Sequence, residues 1–180
     1  MNIIFEPLSR YHFPLLLKWL QTEHIKKWWD RDVEWTTELI REKYEDYTKG
    51  CKLEDGLQKK VEAFVIRLDN IAIGYIQYYN KHDFPDDHSY PYQELPKSCA
   101  GFDYYIGEPE FIGHGIGSKV LITFLQKYIL TKFDYIFASP ETANIAAINA
   151  YKKAGFIIIK KVKNKKITLM IRNKACYYAK

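Results

Sequence analysis

Three alternating glycines, Gly113, Gly115 and Gly117, lead directly into a segment with helical periodicity. Glycine has no Cβ, so it permits positive φ angles and a close approach of the main chain to a ligand. The first turn of the following helix leaves main-chain N–H groups unpaired, and the helix dipole makes that end positive. The pattern therefore predicts a binding site for a phosphate or pyrophosphate group.

Two common phosphate-binding motifs do not match this loop. A P-loop requires Gly-Lys followed by Ser or Thr, whereas Ser118 and Lys119 follow Gly117 in the reverse order. A dinucleotide-binding fingerprint requires a glycine where this chain has Val120. A tight turn that binds no ligand remains the alternative for the loop taken alone.

A second group of residues, between Asn144 and Phe156, has the pattern of a helix closed by Gly155. Asn144 and Tyr151 are seven residues apart in the sequence. That spacing is about two helical turns, so both side chains are expected on one face of the helix. A strand is predicted to follow, from Phe156 to Val162.

The elements that position these residues follow from hydrophobic periodicity. A strand is predicted from Ser98 to Ile106, so the order is strand, glycine loop, helix. One apolar face is predicted for that helix, made of Val120, Leu121, Phe124, Leu125, Tyr128 and Ile129. Further helices are predicted over Tyr11 to Gln21 and Glu34 to Tyr47, and paired strands over Val61 to Leu68 and Asn70 to Tyr79. A loop is predicted over Lys81 to Lys97, and a hairpin is predicted with Asn164 near its tip.

The two motifs together resemble the GNAT superfamily of acyl-CoA N-acyltransferases. That family's pattern is supplied here by Gly115, Gly117, Asn144, Tyr151 and Gly155-Phe156, and it is interrupted at Ile112, where the family usually has Gln or Arg. The resemblance implies an α/β (α+β) fold with a mixed, mostly antiparallel central sheet, splayed at the acetyl-CoA site and flanked by helices. It implies one domain over residues 1–180, with acceptor-side elements and a lid loop in 1–97, the acetyl-CoA-binding core in 98–160 and a C-terminal hairpin in 161–180.

The same resemblance implies acetyl-CoA as co-substrate and no metal. The residues that it assigns to the coenzyme are Tyr105, Ile106, His114, Gly115, Ile116, Gly117, Ser118, Lys119, Asn144 and Tyr151. The five histidines also lack the spacing of metal ligands.

Within the superfamily the chain resembles the aminoglycoside 6′-N-acetyltransferases. The resemblance is based on the Gly74 to Tyr79 strand, Gly101-Phe102-Asp103, the Ile112 to Gly117 loop and the Trp28-Trp29 pair. The chain departs from that group at Ser139-Pro140, where the group tends to have Asp-Pro. This resemblance assigns the acceptor to Trp28, Trp29, Gln77, Tyr79, Asp103 and Glu94.

Three chemical roles follow from the resemblance. Asp103 is expected to meet the reacting amine, either as a base or by orienting it, and its alternative role is a hydrogen-bonding residue at a strand end. Main-chain N–H groups around Tyr105 and Ile106 are expected to polarise the thioester carbonyl. Tyr151 is expected to stabilise the departing thiolate, with a core tyrosine as the alternative, and Asn144 has the alternative role of a helix cap.

The loop over Lys81 to Lys97 and the tryptophan pair are expected to serve the acceptor. The loop carries Asp83, Asp86, Asp87 and Glu94 among tyrosines, which suits a lid over a polycation, and a solvated acidic loop is the alternative. Adjacent tryptophans cannot both face one core, so one is expected to be exposed and to form a binding wall.

Composition limits the class of protein. The chain has no signal-peptide pattern and no membrane-spanning run, and its three cysteines, Cys51, Cys99 and Cys176, indicate free thiols in a reducing compartment. The net charge of +5 arises after residue 140, where ten basic residues face Glu141 alone. This charge predicts a solvated lysine-rich hairpin, with attraction of the coenzyme phosphates as the alternative, and no nucleic-acid motif accompanies it.

These observations lead us to expect a cytoplasmic, acetyl-CoA-dependent N-acetyltransferase, monomeric or homodimeric, whose small-molecule acceptor is a polycationic amine. The 6′-amine of an aminoglycoside is the best candidate, attacking the thioester directly in a ternary complex. A siderophore-pathway N-acyltransferase and a non-catalytic CoA-binding module remain alternatives.

Overall fold

The computed structural model describes residues 1–85 and 94–177, without the side chains of Lys165, Cys176 and Tyr177. Its strands are β1 (Ile3–Pro7), β2 (Cys51–Glu54), β3 (Leu57–Leu68), β4 (Ile71–Asn80), β5 (Cys99–Ile106), β6 (Tyr135–Ala138), β7 (Ile157–Val162) and β8 (Ile167–Asn173). Its α-helices are α1 (Phe13–Leu20), α2 (Glu23–Lys26), α3 (Thr37–Tyr44), α4 (Ile116–Phe124) and α5 (Ile145–Lys153). The mixed fold and its mostly antiparallel strands confirm the predicted fold class.

The described chain forms two compact units, and strands β4 and β5 each contribute to both. The first unit comprises Met1–Tyr78 and Asp103–His114, with the strand order β1-β3-β4-β5 and β2 on β3. β1 runs antiparallel to β3, from the Ile3–Leu68 pair to the Pro7–Phe64 pair. The turn from β3 to β4 is Asp69-Asn70, as predicted, and both residues have positive φ angles, 45° and 74°.

The core of the first unit lies where α1 and α3 pack together. It consists of side chains with no exposed surface, which are Leu16, Trp19, Leu20, Ile40, Tyr44, Val65, Ile66, Ile73, Tyr75 and Ile76. Burial of so many large apolar groups is the main stabilising contribution to this unit.

The second unit comprises Tyr79–Phe102 and Gly115–Lys180. β5 pairs in parallel with β6 from Cys99 to Gly101, β6 pairs antiparallel with β8, and β7 and β8 form the predicted hairpin. Helix α4 buries the predicted face, and a π-helical segment, Leu125–Ile129, continues that face. Because the pairing with β6 ends at Gly101 and β5 continues to Ile106, the carboxyl half of β5 extends beyond this parallel pair.

Several boundaries differ from the predictions. The first helix begins as a 3₁₀ turn, Arg10–His12, and α3 begins at Thr37 instead of Glu34 because the Thr36 hydroxyl accepts a hydrogen bond from Leu39 N at 3.3 Å. Strands β1, β2 and β6 and helix α2 were not predicted, since each has only four or five residues. Lys81–Asp83 forms a 3₁₀ turn within the predicted loop, and residues 86–93 of that loop lie outside the described residues.

The two cysteines whose side chains are described, Cys51 and Cys99, are free, as predicted. Burial raises the pKa of the Cys99 thiol to about 11. At neutral pH this thiol is therefore protonated and unreactive.

Candidate active site

The glycine loop has the backbone geometry that its sequence predicts. Gly113 and Gly115 have φ angles of +85° and +76°, and an added Cβ on either would meet no atom within 4 Å. The requirement for glycine therefore comes from the backbone angle and not from crowding. Gly115 is the N-cap of α4, and Lys119 N returns to Gly115 O at 3.3 Å.

The first turn of α4 consequently offers its main-chain N–H groups at the end of an open loop. His114 and Lys119 are exposed beside it, and their side-chain nitrogens can donate hydrogen bonds to an anion. The space around the glycines and the direction of the helix dipole both fit a diphosphate.

Helix α5 positions Asn144 and Tyr151 in the same unit. The Asn144 side-chain oxygen accepts a hydrogen bond from Ala147 N at 3.1 Å, so this residue caps the helix. Gly155 ends the helix with a φ angle of +87°, as predicted. The cap occupies the amide oxygen of Asn144, which leaves its amide nitrogen as the group able to contact a ligand.

Tyr151 is half-buried, and aromatic contacts hold its ring. The ring centroid lies 5.4 Å from that of Phe102, edge to face, and 5.6 Å from that of Phe156. These distances are typical of stabilising aromatic pairs. The packing restricts the direction in which the phenol group of Tyr151 points.

The first unit holds a hydrogen-bonded series that ends at Asp103. Tyr75 Oη donates to Gln77 Oε1 at 2.5 Å, and Gln77 Nε2 donates to Asp103 Oδ2 at 2.9 Å. Burial raises the pKa of Tyr75 well above its usual value, and nearby Tyr44 adds to the shift, so the phenol stays protonated as a donor. Its donation fixes the orientation of the Gln77 amide, and that amide in turn orients the Asp103 carboxylate.

An aromatic cluster surrounds this series. Trp29 contacts Tyr105 and Tyr75 edge to face, with ring centroids at 5.0 and 6.4 Å, and Tyr75 stacks on Tyr105 at 5.6 Å. Gly74 permits the close approach of β4 and β5, since a Cβ there would lie 2.2 Å from Tyr105 O. Asp103 is a half-buried carboxylate, and its bond to Gln77 links it to this cluster.

A buried carboxylate, Glu108, fixes the backbone that follows β5. It accepts hydrogen bonds from Lys18 Nζ at 2.6 Å and from Trp19 Nε1 at 2.8 Å. Burial of Glu108 raises its pKa, but these two donors outweigh that effect and hold the pKa below its usual value. Main-chain N–H groups of Gly107 and Glu108 also both reach Ile73 O, at 2.7 and 3.2 Å.

Sequence reasoning missed Glu108, because its partner Trp19 lies 89 residues away and no local pattern links the two. The neighbouring Gly107 also packs against Trp19, since an added Cβ on Gly107 would lie 2.2 Å from Trp19 Cγ. The Glu108 contacts hold the segment that contains Tyr105 and Ile106, the residues whose main-chain N–H groups were predicted to face the thioester.

The predicted acceptor residues are divided between the two units. Trp29, Gln77 and Asp103 lie in one cluster, whereas Tyr79 and Glu94 belong to the second unit. The ring centroids of Tyr79 and Phe84 lie 4.9 Å apart, and Glu94 is exposed.

Trp28 lies against the protein's own cations. Lys27 and Arg31 sit over its ring, at 5.0 and 5.8 Å from the centroid. Both tryptophans of the pair are half-buried, so the expectation that one of them is exposed was wrong. The reason is that Trp29 packs on β4 and β5 tyrosines while cationic side chains cover Trp28.

The model of the acetyltransferase (GNAT) domain family matches residues 9–164 of this chain. The chain belongs to the GNAT acetyltransferase family. The aminoglycoside N(6′)-acetyltransferase type 1 of Klebsiella pneumoniae is 25% identical over 159 residues, which are 86% of this chain and 74% of that enzyme. The superfamily and the aminoglycoside-modifying group predicted from the sequence are thus confirmed as its relatives.

Solved GNAT structures share the fold of this acetyltransferase. AAC(6′)-Ib in complex with paromomycin and acetyl-CoA superposes with a TM-score of 0.78 at 20% identity, covering 99% of this chain and 97% of that one. A spermidine N-acetyltransferase, the SpeG chimera from Vibrio cholerae and hSSAT, superposes with a TM-score of 0.70 at 15% identity, covering 100% of both chains. At these identities the likeness concerns the fold alone.

Two further features bear on the class of this GNAT protein. Within residues 1–85 and 94–177 there is no group of three or more His, Cys, Asp or Glu side chains suited to a metal ion. No helix in that same part of the chain has the length and apolar character needed to cross a membrane.

Proposed function

We propose that this acetyltransferase transfers the acetyl group of acetyl-CoA to a primary amine of a polycationic small molecule, and that the 6′-amine of an aminoglycoside is the best candidate. The observation that carries the proposal is the half-buried Asp103 carboxylate, which Gln77 Nε2 orients at 2.9 Å and which Gln77 links to Tyr75. A half-buried carboxylate that is held in one orientation recognises an ammonium group, and this recognition does not require a particular sugar.

The coenzyme is assigned to the α4 loop and α5. The main-chain N–H groups of the first turn of α4 bind its diphosphate, because Gly113 and Gly115 leave this end of the helix open. The Asn144 amide nitrogen donates a hydrogen bond to the pantetheine arm, since the amide oxygen caps α5.

Acetyl transfer then follows in a single complex. The amine nitrogen forms a bond to the thioester carbon while the carbon–sulfur bond breaks. Main-chain N–H groups at Tyr105 and Ile106 stabilise the charge on the carbonyl oxygen, and the segment is held in place through Glu108.

Proton transfers complete the reaction. Asp103 binds the ammonium form, and one proton leaves to water to give the neutral amine that attacks. A second N–H proton leaves to water as the amide forms, and the thiolate takes up one proton to give the free CoA thiol. Tyr151 donates a hydrogen bond to the leaving thiolate. A phenol with a pKa near 10 is less acidic than a thiol near 8.5, so the hydrogen bond stabilises the thiolate without complete transfer.

The proposal is tested by release of free CoA thiol with a panel of acceptors. Kanamycin, spermidine and an alkyl hydroxylamine represent the aminoglycoside, polyamine and siderophore-type amines. Thiol release with kanamycin at the highest kcat/KM supports the proposal, and the position of acetylation is read by NMR of the product. A preference for the hydroxylamine contradicts it in favour of the siderophore-type reaction.

A non-catalytic role has a separate outcome. A CoA-binding module shows thermal stabilisation by acetyl-CoA but releases no thiol with any amine. That pair of results would refute the transfer reaction and leave the coenzyme site intact.

A further inference from the structure

The unit that carries Asp103 also has a concavity that the proposed reaction does not use. This α3 pocket has a volume of about 460 Å³ and lies along α3 and the 3₁₀ turn that follows it. Its lining includes three acidic side chains, two aromatic rings and two lysines, which are Asp30, Glu42, Asp46, Trp35, Tyr47, Lys43 and Lys52.

The protein already holds one of its own ammonium groups in the α3 pocket. Lys43 Nζ lies 2.7 Å from Asp30 Oδ2, 4.9 Å from the centroid of the Trp35 ring and 5.5 Å from that of Tyr44. One carboxylate and two aromatic faces around a single ammonium are the features that bind alkylammonium ligands. The geometry around Lys43 therefore shows what kind of group the pocket accommodates.

Two other groups of the α3 pocket have no interaction partner among the described residues. Glu42 is exposed and forms no ion pair with any residue in 1–85 or 94–177. Trp35 is 6% exposed, and its buried indole N–H has no hydrogen-bond partner within those same ranges. A hydroxyl group of an aminosugar or a water molecule entering with the ligand would supply the missing acceptor.

The wall of the α3 pocket is connected to the Asp103 series. Tyr44 contacts Trp35 and Tyr47, with ring centroids at 6.3 and 5.4 Å, and on its other side contacts Tyr75 at 5.7 Å. Tyr75 begins the hydrogen-bonded series that orients Asp103.

The electrostatic field supports the same connection. Burial raises the pKa of Tyr47, and the carboxylates of Asp103, Glu54 and Asp30 raise it further. Asp103 and a carboxylate of the α3 pocket thus act on one ring.

We propose that the α3 pocket is a second ammonium subsite, which binds an amine of the polycationic acceptor other than the amine that is acetylated. This inference rests on the proposed function and adds a site for the non-reacting part of the acceptor. Lys43 occupies the subsite in the free protein. When the acceptor binds, its ammonium group interacts with Glu42 and competes with Lys43 for Asp30.

Two variants test the subsite because they change acceptor binding in opposite directions. Glu42→Gln removes a carboxylate from the surface of α3, and we expect KM for spermine to rise about fivefold, the upper range for one exposed charge pair. Lys43→Met removes the internal competitor, and we expect KM for spermine to fall. Glu34→Gln is the matched control, since its carboxylate is exposed and lies outside the pocket lining.

The acceptor provides a second control. Propylamine has one amine and cannot occupy both Asp103 and the α3 pocket, so its KM is expected to stay the same in Glu42→Gln, Lys43→Met and Glu34→Gln. Equal changes for spermine and propylamine, or changes of the same sign in the two pocket variants, would overturn the proposal.

The test also separates this inference from the proposed function. If the wild type acetylates spermine and the Glu42→Gln and Lys43→Met variants leave its KM unchanged, the subsite fails and the reaction stands. If no amine is acetylated, calorimetric titration with spermine replaces KM. Weaker binding to Glu42→Gln and tighter binding to Lys43→Met then support the subsite, and unchanged binding overturns it.

Discussion

Replacement of Asp103 by asparagine removes one negative charge and preserves the shape of the side chain. In the wild type, Asp103 Oδ2 accepts a hydrogen bond from Gln77 Nε2 at 2.9 Å. The amide oxygen of asparagine can accept the same bond, so the Tyr75–Gln77 series is expected to persist. Asp103→Asn therefore isolates the interaction of the charge with the acceptor's ammonium group.

The size of the effect follows from the surroundings of Asp103. Hydrogen bonds to charged groups contribute about 1.5–3 kcal/mol, and Asp103 is half-buried, so we take about 2 kcal/mol. Since 1.36 kcal/mol corresponds to a factor of ten, kcat/KM for kanamycin should fall about 30-fold. The affinity for acetyl-CoA should stay unchanged, because the coenzyme is assigned to α4 and α5.

The assay is thiol release at saturating acetyl-CoA, with coenzyme affinity measured by calorimetry. Asp69→Asn is the matched control, since Asp69 is exposed in the β3–β4 turn, where asparagine also tolerates a positive φ angle. An unchanged kcat/KM in Asp103→Asn, or an equal fall in Asp69→Asn, would refute the assigned role of this carboxylate.

Three further variants test other parts of the site. Tyr151→Phe should lower kcat about tenfold with little change in acetyl-CoA affinity, and an unchanged kcat would make Tyr151 a packing residue only. Asn144→Ala should lower the free energy of unfolding by about 1 kcal/mol, because the hydrogen bond from Ala147 N is lost, whereas Asn144→Asp should retain that bond. Chemical denaturation measures both variants, and equal losses of stability would contradict the role of Asn144 as a helix cap. Glu108→Gln should destabilise the protein at pH 7. Because the pKa of Glu108 is lowered in the folded state, the stabilisation that this carboxylate provides should be lost as the pH falls through that pKa. Urea unfolding should therefore show a smaller difference in stability between variant and wild type at pH 3 than at pH 7, and an equal difference would contradict the charge effect.

Local sequence signals were sufficient for the elements assigned to the coenzyme. Alternating glycines predict positive φ angles, and Gly113 and Gly115 have them. The spacing from Asn144 to Gly155 predicts a capped helix closed by a glycine, and α5 has both features. Each of these signals arises within one turn or one helix, so tertiary packing is not needed to interpret it.

The acceptor-side geometry depends on the register of strands that are distant in sequence. Gln77 and Asp103 are 26 residues apart, and their hydrogen bond exists because β4 lies beside β5. The contacts of Trp29 with Tyr75 and Tyr105 depend on that same register. A single sequence indicates that these residues suit a cation site, but it does not specify which of them meet.

The α3 pocket shows the same limit more strongly. The charges on α3 have the pattern of an ordinary solvated helix surface. Only the fold shows that Lys43 reaches back to Asp30 and lies over Trp35. Tertiary structure therefore shows contacts of Lys43 that the composition of α3 does not indicate.

The most direct test of coenzyme binding at the glycine loop is an NMR titration of the isotopically labelled protein with acetyl-CoA. We predict saturable binding, with the largest shifts at the main-chain amides of Gly115, Ile116 and Gly117 as they bind the diphosphate. Absence of saturable binding, or shifts that leave these three amides unchanged, would contradict the assignment of the coenzyme to the first turn of α4.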